Sequence, residues 1–322
     1  MIYQAGKRVI ERLYFIKHIF LLATMKNFTE NQISEVWPGP MEGVMKTAFI
    51  ETVSKLELVS RWMTPFFRVS GYVPKKRYLM EFLTPFLNTG LPVSGQIMGT
   101  DAKLLGETAK MMLDAGCFEV NLNCGCPSNR VVSGNAGGGA LKDLAKLADI
   151  LKHLRDTLPD GRFSVKSRIG YDFPATREVL NTIIEYGKPD RLTIHCRTTK
   201  EAYIPVPDMQ ERFDEVIALT SPAREQGMVL ILNGDISSVE TARNLAQKAD
   251  GCGIMSARPW MRDLALLRRM EDKPAADEES LKEEFFDTFS TLNSAQGASL
   301  EIARLLWGSD SDKFRSMLNG KR

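Results

Sequence analysis

No run of apolar residues in this 322-residue chain approaches the length of a membrane span, which takes about 20. The most apolar N-terminal stretch, IFLLA, is short, and Lys17 and His18 interrupt the patch around it. Residues 1–34 are therefore expected to form a helical or disordered extension rather than a targeting or membrane segment, with Met25 as an alternative start. A dominant charge is lacking too. The 42 Lys and Arg against 40 Asp and Glu leave a formal net charge of +2, so any nucleic-acid footprint must be local. Cysteines are few, five in all, and lie in apolar or glycine-rich contexts rather than at the spacings of a secreted scaffold. That points to a reducing, cytoplasmic setting. Cys124 and Cys126 form a single C-x-C with no second pair nearby, so no metal site is expected, and a bridge between them would be strained. Internal repeats and low-complexity tracts are absent.

What is present is alternation. Short apolar runs recur at EVW (35–37), SRWMT (60–64), PVSGQIM (92–98), FEVNLNC (118–124), FSVKSRI (163–169), RLTIHCR (191–197), MVLILNG (228–234) and GCGIMSA (251–257). Each suits a buried parallel strand. Between them lie amphipathic stretches such as 101–116, 143–159 and 238–250, the last with Ser237 or Ser238 placed to cap it. Eight such units predict an α/β fold, a (β/α)8 TIM barrel over 35–270, with an open doubly wound sheet as the alternative. The barrel is favoured because Gln96, Asn121, Asn123, Lys166, Arg168, His195, Arg197, Asn233, Asp235 and Ser256 all fall at C-terminal strand ends. A barrel gathers such residues on one face. After it, 271–280 reads as a charged linker, and 271–322 as a whole as linker plus a small C-terminal helical domain.

The residues at those strand ends leave several readings open singly. Cys126 lies past its strand, between Gly125 and Pro127; it is either a small loop residue or a thiol set over a ligand. Gly134, Gly137, Gly138 and Gly139 allow a tight turn or close approach to a ligand, but match neither a Walker loop nor a dinucleotide fingerprint. Lys166, charged inside an apolar strand, needs a carboxylate or an anionic or polar ligand. His195 is a satisfied core histidine or a pocket residue. Asn233-Gly234-Asp235 is a ligand-facing turn or a helix-capping one. Together, Lys, His, Gln, Asn and a thiol on one face suit a hydrogen-bonding ring system with a phosphate, as FMN presents. They do not suit glycoside hydrolysis, which needs a carboxylate pair.

The motifs GPMEGV (39–44), QIMG (96–99), LNCGCPS (122–128), GGGALKD (137–143), VKSRIG (165–170), IHCRT (194–198) and NGD (233–235) occur in that order. Over residues 38–256 the chain resembles the tRNA-dihydrouridine synthase family, most closely its DusC-like branch. The resemblance implies a cytoplasmic, monomeric, metal-free FMN enzyme that reduces a uridine in the tRNA D-loop, uridine 16 for that branch, with NADPH. Pro40 and Met41 would pack by the flavin, Gln96 would hydrogen-bond its ring, Lys166 would meet its polar edge and His195 would line the same pocket. Asn233, Gly234 and Asp235 would lie near the ribityl and phosphate end. Met255 and Ser256 stand where the family usually has a Gly-Arg pair that holds the phosphate, and Ser256 and Arg258 are the substitutes at hand. Asn123 would face the uracil. Cys126 would protonate C5 while hydride passes from flavin N5 to C6, a step that suits a thiol with a free pKa near 8.5. Arg68, beside a basic cluster at Lys75, Lys76 and Arg77, would contact tRNA, with Arg197 and Arg304. Two alternatives stand beside this: an FMN-dependent reductase of a free pyrimidine or small enone, and an RNA-binding barrel that has lost flavin chemistry.

Overall fold

Every apolar run read as a strand becomes one, and all pair in parallel. The computed structural model describes residues 32–293 and 296–319, so the expected extension lies outside the described residues as far as residue 31. The strands are β1 Val36–Pro38, β2 Trp62–Met63, β3 Phe67–Arg68, β4 Val93–Met98, β5 Glu119–Cys124, β6 Phe163–Arg168, β7 Arg191–His195, β8 Val229–Asn233 and β9 Gly253–Ser256. Their order is β1-β9-β8-β7-β6-β5-β4-β2, with β3 also on β4. β1 and β2, at the two ends of that path, come alongside each other. The result is a nearly closed (β/α)8 barrel and not the open sheet. β3 was not among the expected strands. Phe67 and Arg68 pair with Ile97 and Met98, beyond the Trp62 and Met63 pairing with Val93 and Ser94, so β3 prolongs the second barrel strand past Pro65.

Side chains alternate across each strand. On β5, Val120, Leu122 and Cys124 join the apolar layer under the helices, while Glu119, Asn121 and Asn123 form the opposite row. That row and its neighbours make one wall of the barrel interior polar, through Ser94, Gln96 and Ser164, all buried. The other wall is a separate apolar cluster of Trp37, Met63, Ile231 and Met255. Register sets the height of each polar group: Gln96 pairs with Asn121, Asn123 with Lys166, Arg168 with His195, and His195 with Asn233.

Helix starts follow their caps. Asp101, Asp143 and Ser238 accept backbone N–H bonds from Leu104, Lys146 and Thr241, which selects Ser238 over Ser237. Asp277 likewise accepts from Glu279 and Ser280, so a helix begins at Glu278, inside the stretch read as linker. Helices Glu278–Leu292, Gln296–Trp307 and Asp312–Asn319 follow. They are tied to the barrel by Phe285, fully buried and edge-on to Phe49 of helix Thr47–Lys55 at 5.7 Å, with Trp260 on the same ring at 6.1 Å. No described helix is long and apolar enough to cross a membrane. Phe285→Ala is expected to cost about 3–5 kcal/mol, the range for emptying a buried aromatic site. Urea unfolding checks this, and an unchanged midpoint would show that the contact does not hold the helices down.

Candidate active site

The C-terminal ends of the strands open into a cavity of about 700 Å³, within the range of small-molecule sites. Its floor is the polar wall. Gln96 Nε2 donates to Asn121 Oδ1 at 2.9 Å and to the weak acceptor Met63 Sδ at 3.3 Å. Asn123 Nδ2 donates to Gln96 Oε1 at 2.7 Å, and Asn123 Oδ1 accepts the backbone N–H groups of Gly125 and Cys126, both at 3.0 Å. Asn123 therefore anchors the loop that carries the thiol. Cys126 is half-buried on the cavity wall, whereas Cys117, Cys124, Cys196 and Cys252 are buried. Burial raises the Cys126 thiol pKa and Glu42 adds to the rise, against lowering by the Ser128 backbone N–H, Lys166 and Arg168. The thiol stays protonated at neutral pH.

Lys166 faces the same space and has no hydrogen bond or ion pair among the described residues. It is accessible only from the cavity side, and burial, with Arg168 adding to it, pushes its ammonium down to about 8. The carboxylate partner that a barrel-interior salt bridge would need is absent among the described residues. His195 is neutral: burial first, then the cations Arg168, Lys166, Arg197 and Arg258, push it well below the ordinary imidazole range. Arg197 Nη1 lies 3.1 Å from His195 Nε2. A guanidinium can only donate, so the imidazole proton sits on Nδ1.

Pro40 and Met41 after β1, Met255 and Ser256 on β9, and Asn233 at the end of β8 with Gly234 and Asp235 after it complete the cavity, with Glu301 and Arg304 from helix Gln296–Trp307 at its rim. Asn233 Nδ2 donates to Met255 O, which joins the ends of β8 and β9. The Ser256 hydroxyl is buried and donates to Ile236 O at 3.0 Å, so it is spent within the fold. Arg258 is the accessible cation there, 3.6 Å from Asp235 and stacked 4.7 Å from the centre of the Tyr203 ring.

Two expected tRNA contacts lie off the cavity. Arg68 is exposed on β3 near Gly134. Arg197 does not suit an RNA contact. It is 0% exposed, and its donors are spent on Ile204 O, His195 and Asp235; it positions the last two. Of the two readings of the glycines, the structure shows the tight turn. Gly137, Gly138 and Gly139 are buried and do not line the cavity. A Cβ on Gly138 would stand 2.5 Å from Thr199 and 3.0 Å from Cys126 O. They let a 3-10 turn press against the back of the thiol loop, where the Gly138 N–H bonds Cys126 O.

Arg168 is a cavity residue that the site assignment by sequence passed over. It donates to Gly125 O, Thr198 O and Ala202 O and lies 5.8 Å from the centre of the Tyr203 ring. Its position two residues after Lys166, on the same strand face, was the available signal. Tyr203, 55% exposed on a loop, offered none.

The dihydrouridine synthase family model matches residues 38–295. The chain belongs to this family. Among similar dihydrouridine synthases are the tRNA-dihydrouridine(16) synthase of Haemophilus ducreyi, 27% identical over 70% of each chain, and that of Haemophilus influenzae, 31% identical over 51% of this chain and 55% of the relative. The tRNA-dihydrouridine synthase B of Pseudomonas putida is 28% identical over 64% of this chain and 61% of its own. Among solved structures, TcOYE with pHBA shares the fold, with a TM-score of 0.53 at 10% identity over 80% of this chain and 94% of that one.

Because only the thiolate reacts with alkylating agents, Cys126 should be alkylated by iodoacetamide half-maximally above the free-thiol pKa of about 8.5. A midpoint below that value would mean that the cations, and not burial, dominate the thiol.

Proposed function

We propose that this protein reduces a uridine of tRNA to 5,6-dihydrouridine, with FMN as its bound cofactor and NADPH as reductant. The observation that carries the reading is Lys166: an enclosed ammonium without a protein partner, aimed into the same cavity as a protonated thiol. An enclosed cation of that kind calls for an electron-rich ligand edge. The donor set fits the polar edge of a flavin, with Lys166 to meet its negative charge, His195 Nδ1–H as a neutral donor, and the Gln96 Nε2–H that now rests only on Met63 Sδ. Pro40 and Met41 would cover the ring, with Met255 beneath it. Asn233, Gly234 and Asp235 would border the ribityl chain. Arg258 would meet the phosphate in the place first given to Ser256, whose hydroxyl is already engaged. When bound, the flavin supplies the hydride that C6 of uracil receives.

The protein's own part is orientation and the proton. Asn123 keeps one Nδ2–H uncommitted for a uracil oxygen, since its Oδ1 is taken by the thiol loop. Cys126, held neutral by burial, would give its proton to C5. The target base must leave its stack to enter the cavity. Arg68 and Arg304 would hold RNA phosphates beside the mouth, and Tyr203, pinned between Arg168 and Arg258, offers a stacking face there. Uridine 16 is the proposed position, in line with the activity named for the relatives from Haemophilus ducreyi and Haemophilus influenzae.

The purified protein is expected to be yellow, with a flavin spectrum. Cys126→Ala should keep that spectrum and lose about 100-fold or more of dihydrouridine formation, the scale of a missing general acid. Mass spectrometry of tRNA from a deletion strain complemented with either form measures it. A colourless wild-type protein, or full activity in Cys126→Ala, would overturn the reading.

A further inference from the structure

Below the cavity a file of hydrogen bonds runs down the barrel axis, and every donor in it points the same way. The Cys126 and Gly125 N–H groups donate to Asn123 Oδ1. Asn123 donates to Gln96, Gln96 to Asn121, and Asn121 Nδ2 to Ser164 Oγ at 2.9 Å. Ser164 then donates to Glu119 Oε1 at 2.7 Å. Glu119 is 0% exposed, and its Oε2 accepts from Arg191 at 3.2 Å. An amide can be turned end for end, and a hydroxyl can donate or accept. A carboxylate has no such choice. Paired with Arg191, it accepts only, so Ser164 must give its proton downward and take one from above. That requirement passes from residue to residue up to Asn123.

We infer that Glu119, which touches no part of the cavity, is a positioning residue for Cys126: by ending the file as an obligate acceptor it sets the amide orientation of Asn121, Gln96 and Asn123, and so the carbonyl that holds the thiol loop. Its bearing on catalysis rests on the proton-donor role proposed above for Cys126. Burial raises the Glu119 carboxyl pKa and Glu35 adds to the rise, while Arg191 and the Ser164 and Ser94 hydroxyls favour the acceptor state. Glu35 and Glu119 face Arg61 and Arg191, two carboxylates against two guanidiniums, with the Trp37 indole N–H as a further donor to Glu35.

The structure supplies its own control. Ser94 Oγ also donates to Glu119 Oε1 at 2.7 Å and is equally buried, yet no amide of the file rests on it. Ser164→Ala breaks the file, whereas Ser94→Ala removes the same kind of bond from the same oxygen and leaves the file whole. The readout is the iodoacetamide alkylation rate of each cysteine at one fixed pH, followed by peptide mass spectrometry. In Ser164→Ala the rate at Cys126 should rise about tenfold, the worth of roughly one net hydrogen bond. The four buried cysteines should be unchanged in that variant, and Ser94→Ala should match wild type throughout. Glu119→Gln, which keeps the side chain's shape but adds a donor, carries the same expectation as Ser164→Ala and serves if that variant does not fold. Equal Cys126 rates in the two serine variants would overturn the inference. So would a rise at all five cysteines in both Ser164→Ala and Glu119→Gln, which marks general unfolding. The measurement needs neither flavin nor tRNA. A colourless protein with the expected pattern would discard the proposed function and keep the positioning role.

Discussion

A carboxylate sealed inside a barrel can only accept, and the groups stacked above Glu119 must arrange themselves around that fact. Burying an ion pair is a poor route to stability, because desolvation takes back much of the Coulomb gain, and losing one partner of such a pair costs about 3–5 kcal/mol. What the pair of Glu119 and Arg191 provides is direction. Asn123, Gln96, Asn121 and Ser164 line one wall of the barrel interior with their donors aligned toward Glu119, which Arg191 meets from the far side. In a low-dielectric interior, an amide facing the wrong way would leave buried polar groups unpaired. The apolar wall of Trp37, Met63, Ile231 and Met255 helps by offering no competing partner except Met63 Sδ.

Above this column the cavity is ruled by positive charge, and the charge is kept from cancelling itself. Arg168, Arg197 and Arg212 are buried, but each is tied to carbonyls or carboxylates of the surrounding loops. Burial first, and then the field of Arg168, Lys166, Arg197 and Arg258, keeps His195 neutral. Lys166 is left as the enclosed cation that nothing in the described protein neutralises. Cys126 stands where burial and that field oppose each other, and burial wins. A neutral thiol beside an uncommitted ammonium is a combination suited to handing over a proton while charge gathers elsewhere.

Much of this was legible in the sequence. Strands buried on both faces read as continuous apolar runs, and polar residues at six strand ends pointed to a closed barrel. Most of the residues singled out from the sequence, from Pro40 to Arg304, line the same cavity. The rest was not legible for one reason. The resemblance placed Arg197 against RNA, and the glycines stayed open between a tight turn and a ligand, because facing is decided by loops whose course no periodicity encodes. Arg197 turns inward because Asp235 and His195 are brought beneath it. Gly137 to Gly139 take the tight turn where Val131, Thr199 and Val132 leave no room for a Cβ.

The same loops explain why the thiol sits where it does. Cys126 is held from three directions: from below by Asn123, from behind by the Gly138 N–H, and from the side by Arg168, which grips Gly125 O while also holding Thr198 O and Ala202 O. One of those holds comes from later in the same loop, one from the end of β6 and one from the barrel interior. The loop is thereby referenced to the sheet, although it lies outside it. A reactive group on a loop ordinarily trades precision for access. Here the interior column restores the precision, because a hydrogen bond that begins at the floor of the barrel ends on the backbone N–H of the cysteine itself.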